Sequence, residues 1–276
     1  MPHLRQRVLP VILLTLILTI SLGSNSALSA PNIVVGAGPD NHQQLLTEMV
    51  VILLAKEGVT TEIKYNMNLA DLPALLASGD IDFCFQKLPQ PSAESAPGIV
   101  NLPPLTYATG PVLLMRTTDA KAQGVETISH LAELIKKTPA KLRLADMNGT
   151  EAKQLATIYG LPTTVTNLLS SPMPYLSLKR SKADIALGQA DDGRIVAFRL
   201  RPLIDDRHAL PELRNTPLVR QTAIARFPAL SKALASLREH LDTETMRRLH
   251  GAIIIAHRKP GIVAREWLQK EKLLNH

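Results

Sequence analysis

Residues 182–206, reading KADIALGQADDGRIVAFRLRPLIDD, constrain the fold more than any other stretch of this 276-residue chain. Residues 183–187 form a short apolar run with one acid, Asp184, and give way at Gly188 to the polar turn GQADDG. A buried parallel strand ends at a loop in this way. In open α/β sheets, ligands sit at such carboxyl ends. Past Gly193 the chain returns to apolar and β-branched residues with no helical stripe and closes on Asp205 and Asp206. Residues 194–204 therefore read as an extended segment between two lobes.

Upstream, strand and helix alternate. Residues 32–35 predict a strand, and the GAGPDN turn feeds a helix over 42–57 with Leu45, Leu46, Met49, Val50, Leu53 and Leu54 at helical spacing. Asp40 or Asn41 can cap it. The turn has two glycines of a dinucleotide fingerprint, but the third glycine and the later acid are missing, so nucleotide binding does not follow. What remains is a helix amino terminus facing a strand end, which suits a polar or anionic group. A strand over 61–65, a helix over 69–77 and a strand over 79–85 come next. Residues 86–104, with Pro89, Pro91, Pro97, Pro103 and Pro104, read as surface loop. A middle lobe then follows: strand 112–115, helix 128–137, strand 142–145, helix 151–159, strand 163–166 and helix 175–179. Beyond Asp206 the pattern is helical, and Trp267 falls in a packing stripe. Residues 112–115 and 194–203 read as the two connections between lobes.

Residues 1–30 place Arg5 and Arg7 before the apolar run 8–22 and end in small polar residues, the order of a secretory signal peptide. The run is too short to span a bilayer comfortably, so a soluble exported protein with no membrane insertion of the mature chain is expected. After residue 30 the basic excess is mild, 29 − 24 = +5, and scattered; with 3% aromatics this excludes a single-strand nucleic-acid platform. The one cysteine, Cys84, permits no intramolecular disulfide and reads first as a small buried hydrophobe. Eight dispersed histidines show no metal-ligand spacing, and no nucleophile elbow, Walker loop or Cys-His signature is present, so neither enzyme, metal nor cofactor is expected. Asp191 and Asp192 are adjacent on a turn, where their side chains should diverge.

The motifs SGDID (78–82), DDGRI (191–195), LIDD (203–206), TPLVRQ (216–221), FPAL (227–230), LDTETM (241–246) and AREWL (264–268) come in a specific order and spacing. From residue 32 onward, and most closely from residue 183, the chain resembles the substrate-binding proteins of glycine betaine, choline and related osmoprotectant ABC importers. The resemblance implies an α/β, bilobed periplasmic binding protein of type II with two crossing segments. It implies a first lobe from residues 31–110 and 208–276 and a second from 111–207, after a signal peptide at 1–30. It also implies a monomer in the periplasm that closes on a small solute and delivers it to ABC permease and ATPase subunits. A ligand-sensing or scaffold protein on the same fold is the alternative. Family members hold a cationic head group in a cage of tyrosines. Here the segment after the first strand keeps only Gln43, and the aromatic stretch after the third strand becomes Cys84, Phe85, Gln86 and Lys87, so two cage-type tyrosines are gone. Tyr175 falls on a family tyrosine, Tyr107 lies near another, and the Phe-Ser-Thr before DGRI becomes Gln189, Ala190 and Asp191. The candidate ligand contacts are Asp40, Gln43, Cys84, Tyr107, Tyr175, Gln189 and Asp191. A polar solute able to hydrogen-bond with Gln43, Gln189 and Asp191 is expected in place of a betaine or choline.

Overall fold

Strand alternation decides how each sheet is covered. The computed structural model describes residues 32–90, 95–138, 143–145, 149–162 and 173–274. The first part of the chain forms β1 (Ile33–Gly36), α1 (Asn41–Lys56), β2 (Thr61–Lys64), α2 (Leu72–Ser78), β3 (Phe83–Pro89) and β4 (Ile99–Asn101). The middle forms β5 (Pro111–Arg116), α3 (Thr117–Ala122), α4 (Ile128–Lys137), β6 (Leu144–Ala145), α5 (Gly149–Tyr159), α6 (Met173–Lys179), β7 (Ile185–Gln189), α7 (Arg194–Ala197) and β8 (Leu200–Pro202). The last part forms β9 (Leu213–Arg220), α8 (Gln221–Arg226), α9 (Pro228–His240), α10 (Thr243–Ile254) and α11 (Pro260–Lys270).

The sheet β2-β1-β3-β9-β4 is built from both ends of the described chain, with β9 antiparallel between β3 and β4. Phe83 and Phe85 point into one core with α1, α9 and α11, through Leu46, Met49, Leu237 and Trp267. Cys84, one residue out of phase, points to the opposite face among Leu72, Leu76, Ile81 and Leu218. Helix α1 lies between sheet and helices, so its Leu and Met side chains are buried on more than one side, each worth about 1.5–3 kcal/mol. The Asp40 carboxylate caps it by accepting the Gln43 N–H at 2.9 Å.

The second sheet runs β6-β7-β5-β8. Leu113 and Met115 of β5 face Ile128, Leu131, Leu155 and Tyr159; Leu114 faces Tyr175, Leu178, Ala186 and Ile195. The single acid of the run before β7 is accounted for: Asp184 takes Arg116 Nη2 at 2.6 Å and Arg143 Nε at 3.0 Å. Burial raises its pKa, but the hydrogen bonds from Arg143 and Arg116 outweigh this and hold the carboxyl at about 2.

Four expectations change. The part beyond Asp206 is not all helical: it opens with the eight-residue β9, which lies inside the first sheet and carries no helical stripe. β7 is parallel only to the short β6 and antiparallel to the central β5, so the sheet is mixed. Residues 194–203 do not cross between lobes: they turn through α7 and then add β8 to the edge of β5, while residues 112–115 are the middle of the second sheet. An apolar stretch without a helical stripe marks a buried edge strand as well as a connector, and the sequence pattern is the same for both. The chain passes between the two sheets at residues 102–110 and 203–212, and the first of these runs beside the start of β9: Leu105 N–H donates to Asn215 O at 2.9 Å and Thr109 N–H to Leu213 O at 3.0 Å. At Gly110 an added Cβ would lie 2.6 Å from Pro211 O, so the two segments touch there. Finally, residues 86–104 are not all loop, because Pro89 ends β3 and Pro103 and Pro104 follow β4, where no ladder donor is needed. The strand expected at 163–166 and the segment 1–30 lie outside the described residues. Among the described residues no helix is long and apolar enough to cross a membrane.

Candidate functional site

The start of α1, residues 107–109 and one face of α10 pack with the first sheet, and the turn after β7 meets all three. This turn, GQADDG in sequence, is pressed onto α10. Gly193 has ordinary helical backbone angles, φ −64° and ψ −19°. Glycine is needed there because a Cβ would lie 2.2 Å from Gly251 N and 2.5 Å from Gly251 Cα. The Gly193 N–H donates to His250 Nδ1 at 3.1 Å, and Arg247 Nε donates to Ala190 O at 2.6 Å. The turn that ends β7 of the second sheet is thus held against α10, which packs with the first sheet.

Asp191 reaches across this contact and is 0% exposed. Thr109 Oγ1 donates to its Oδ2 at 2.5 Å, and His42 Nε2 lies 3.5 Å from the same oxygen and 3.1 Å from the Asp191 carbonyl oxygen. The rings of His42 and His250 are in contact, tilted by 41° with centroids 3.6 Å apart. Burial, then the positive charges of His42, Arg194 and Lys87, pull His250 down to about 2, so its imidazole is neutral and free to accept from Gly193. Asp192 diverges from its neighbour and takes the N–H and Nη1 of Arg194 at 2.8 and 2.9 Å. Burial raises the Asp192 carboxyl above its ordinary range, and the Arg194 pairing offsets only part of this.

Tyr107 accepts from Asn215 Nδ2 at 2.8 Å, and burial followed by the charge of Asp191 holds its phenol well above the usual range. Four atoms have no hydrogen-bond partner in the protein although their residues are 0% exposed: Asp191 Oδ1 and Asn215 Oδ1, both beside Tyr107, and Gln43 Oε1 and Nε2 at the start of α1, one residue on from His42. Each such group costs about 1–3 kcal/mol if nothing pairs it. More than nine in ten buried polar groups in folded proteins are paired, so the orphans on Asp191 and Asn215, both beside Tyr107, mark a place for a polar occupant.

Of the candidate contacts, Tyr107 and Asp191 come together here, and Gln43 is buried at the start of α1, next to His42. Asp40 stands at the margin, engaged as the α1 cap, though its charge acts on Tyr107. Tyr175 lies beneath the turn, its hydroxyl accepting from Gln189 N–H at 2.7 Å, while the Gln189 side chain is exposed. Cys84 does not line the junction, because the even-numbered residues of β3 face α2. Burial pushes its thiol up to about 12. Native protein should therefore leave Cys84 unmodified by a thiol reagent at pH 8 and react fully once unfolded; reaction at the unfolded rate without denaturant would contradict this placement.

A family model described as the substrate binding domain of ABC-type glycine betaine transport systems matches residues 31–270. The chain belongs to this family. A glycine-betaine-binding protein of Pseudomonas aeruginosa is 24% identical over 274 residues, covering 87% of this chain and 88% of its own. Among solved structures, a glycine betaine/carnitine/choline ABC transporter protein matches with TM-score 0.79 at 21% identity, covering 88% of this chain and all of that one (100%). Lactococcal OpuAC, in its closed conformation with glycine betaine, matches with TM-score 0.59 at 13% identity over 88% and 97% of the two chains. The fold is therefore that of a type II periplasmic binding protein, and the family is one of solute-binding components of ABC transport, not of enzymes.

His42, Thr109, Asn215, Arg247 and His250 escaped the sequence reading. The two histidines sit on different helices far apart in the chain, so no spacing announces them. Asn215 could have been found, since it directly precedes the TPLVRQ motif on the strand that pairs with β3.

Proposed function

We propose that this chain is exported with removal of residues 1–30 and works as a monomer in the periplasm. It closes its lobes over one small polar solute and hands that solute to permease and ATPase subunits. In this reading the lobes are residues 31–110 with 208–276, and residues 111–207, a division supported by the membership of the two sheets. The observation that carries the reading is the set of buried, unpartnered polar atoms on Gln43, Asp191 and Asn215, at a junction walled by both lobes. Rotation about the touching crossings near Gly110 and Pro211 would part the turn after β7 from α10 and open that junction.

Native mass spectrometry of protein purified from its own periplasm tests both halves. The expected species lacks the first thirty residues or so and carries a small solute that leaves on denaturation. A chain that still begins at Met1 would contradict export. Failure to carry any solute, or to compact in small-angle scattering with any candidate, would contradict capture.

A further inference from the structure

Resting on the reading of the junction as a solute site, we propose that it takes a small zwitterion whose nitrogen carries N–H groups, and not a quaternary ammonium. Three of the four orphan atoms, Gln43 Oε1, Asp191 Oδ1 and Asn215 Oδ1, are acceptors. A primary ammonium brings three N–H donors; a trimethylated nitrogen brings none and would leave all three oxygens as they are. Asp191 adds the opposite charge, and a buried carboxylate with one oxygen lacking any donor is suited to a cation that can hydrogen-bond.

A cage of rings that would favour a quaternary ammonium is absent from the junction. A methylated cation depends on ring faces within roughly 6 Å. Phe83, Phe85, Phe227 and Trp267 are packed in the core of the first lobe. Tyr65, Tyr159 and Phe198 are engaged elsewhere, with Glu48, Asp205 and Lys179. That leaves Tyr107 and Tyr175 of all the aromatic residues in the sequence. The Tyr175 ring already has the Arg194 guanidinium over it, 5.1 Å from its centroid. A single ring is not a cage.

The anionic end of the solute has its own partner. Lys87 is the cross-strand neighbour of Asn215 and shares the face of β3 that carries Phe85. Its ammonium is close enough for its charge to act on His250. With Gln43 Nε2 it supplies the donors for a carboxylate, just as Asp191, Asn215 and Gln43 Oε1 supply the acceptors for an ammonium.

Calorimetry on the unmodified protein with pairs differing only in N-methylation decides the matter: glycine against glycine betaine, and 4-aminobutyrate against its trimethylated counterpart. Ethanolamine and choline form the carboxylate-free pair. At least one N–H zwitterion should bind, and its trimethylated partner should bind at least tenfold more weakly, the effect of losing one or more charge-assisted hydrogen bonds. A trimethylated member that binds as tightly as its partner overturns the inference, and so does ethanolamine binding more tightly than both zwitterions. If no amine binds but a neutral or anionic solute compacts the protein, the inference fails while solute capture stands. If nothing binds or compacts it, both fail.

Discussion

Replacing Gly193 with Ala is expected to hold the lobes apart and weaken solute binding by about fivefold to a hundredfold or more, the equivalent of the roughly 1–3 kcal/mol that overpacking costs. The backbone angles of Gly193 suit alanine, so neither lobe should lose stability by itself. The new methyl would instead meet backbone atoms of α10 at 2.2 and 2.5 Å, and no side-chain rotation can relieve a clash with backbone. The reverse substitution is not equivalent. At Gly251 an added Cβ would find Gly193 O at 3.6 Å, an ordinary contact, and alanine in a helix interior is favoured over glycine by about 0.8–1 kcal/mol. Gly251→Ala should therefore bind solute like the unmodified protein and melt slightly higher. Scattering profiles with and without solute, alongside calorimetry, separate the two variants. Normal closure by Gly193→Ala would show that this seam is not where the lobes meet.

Lowering the pH from 7 to 5 should open the protein. In the closed form His250 titrates at about 2, whereas an imidazole released to solvent titrates near its ordinary 6.5. Between those values the open state binds more protons than the closed one. Closure is therefore undiminished above about pH 6.5 and loses free energy as the pH falls below it, at about 1.4 kcal/mol per unit. At pH 5 the loss is about 2 kcal/mol, near thirtyfold in solute affinity. His42 from α1, Lys87 from β3 and Arg194 from the turn all face this imidazole with positive or potentially positive charge and resist its protonation; Asp191 and Asp192, on the same turn, are the acids nearby. Protonation of Nδ1 would also remove the acceptor for the Gly193 N–H. Titrating affinity against pH in the unmodified protein and in His250→Asn, which keeps an acceptor and loses the titration, checks the assignment. An unmodified protein whose affinity is flat over this range would contradict it.

Most of the fold was legible because periodicity reports burial directly. The α1 stripe from Leu45 to Leu54, the capping Asp40 and the strand alternation around β3 follow from which residues must face a core. Residues 194–203 were misplaced because a single helical turn and a three-residue edge strand are too short for any period to show. The site was half legible. Gln43, Tyr107 and Asp191 lie at strand and helix ends, where local pattern and family resemblance point. Cys84 was assigned to the cleft by alignment position, and only the phase of β3 reveals that it faces the other way. His42 meets His250 where α1 packs on α10, and Asn215 meets Tyr107; these elements are far apart in the chain, and no local pattern encodes their contact.

The most direct test is a crystal structure of the protein carrying the solute with which it is purified. The account predicts that solute between the lobes, with its polar atoms within hydrogen-bond distance of Gln43, Asp191 Oδ1 and Asn215 Oδ1, and the turn at Gly193 seated on α10. A solute bound elsewhere on the chain, with those side chains paired to one another or to water, would contradict it.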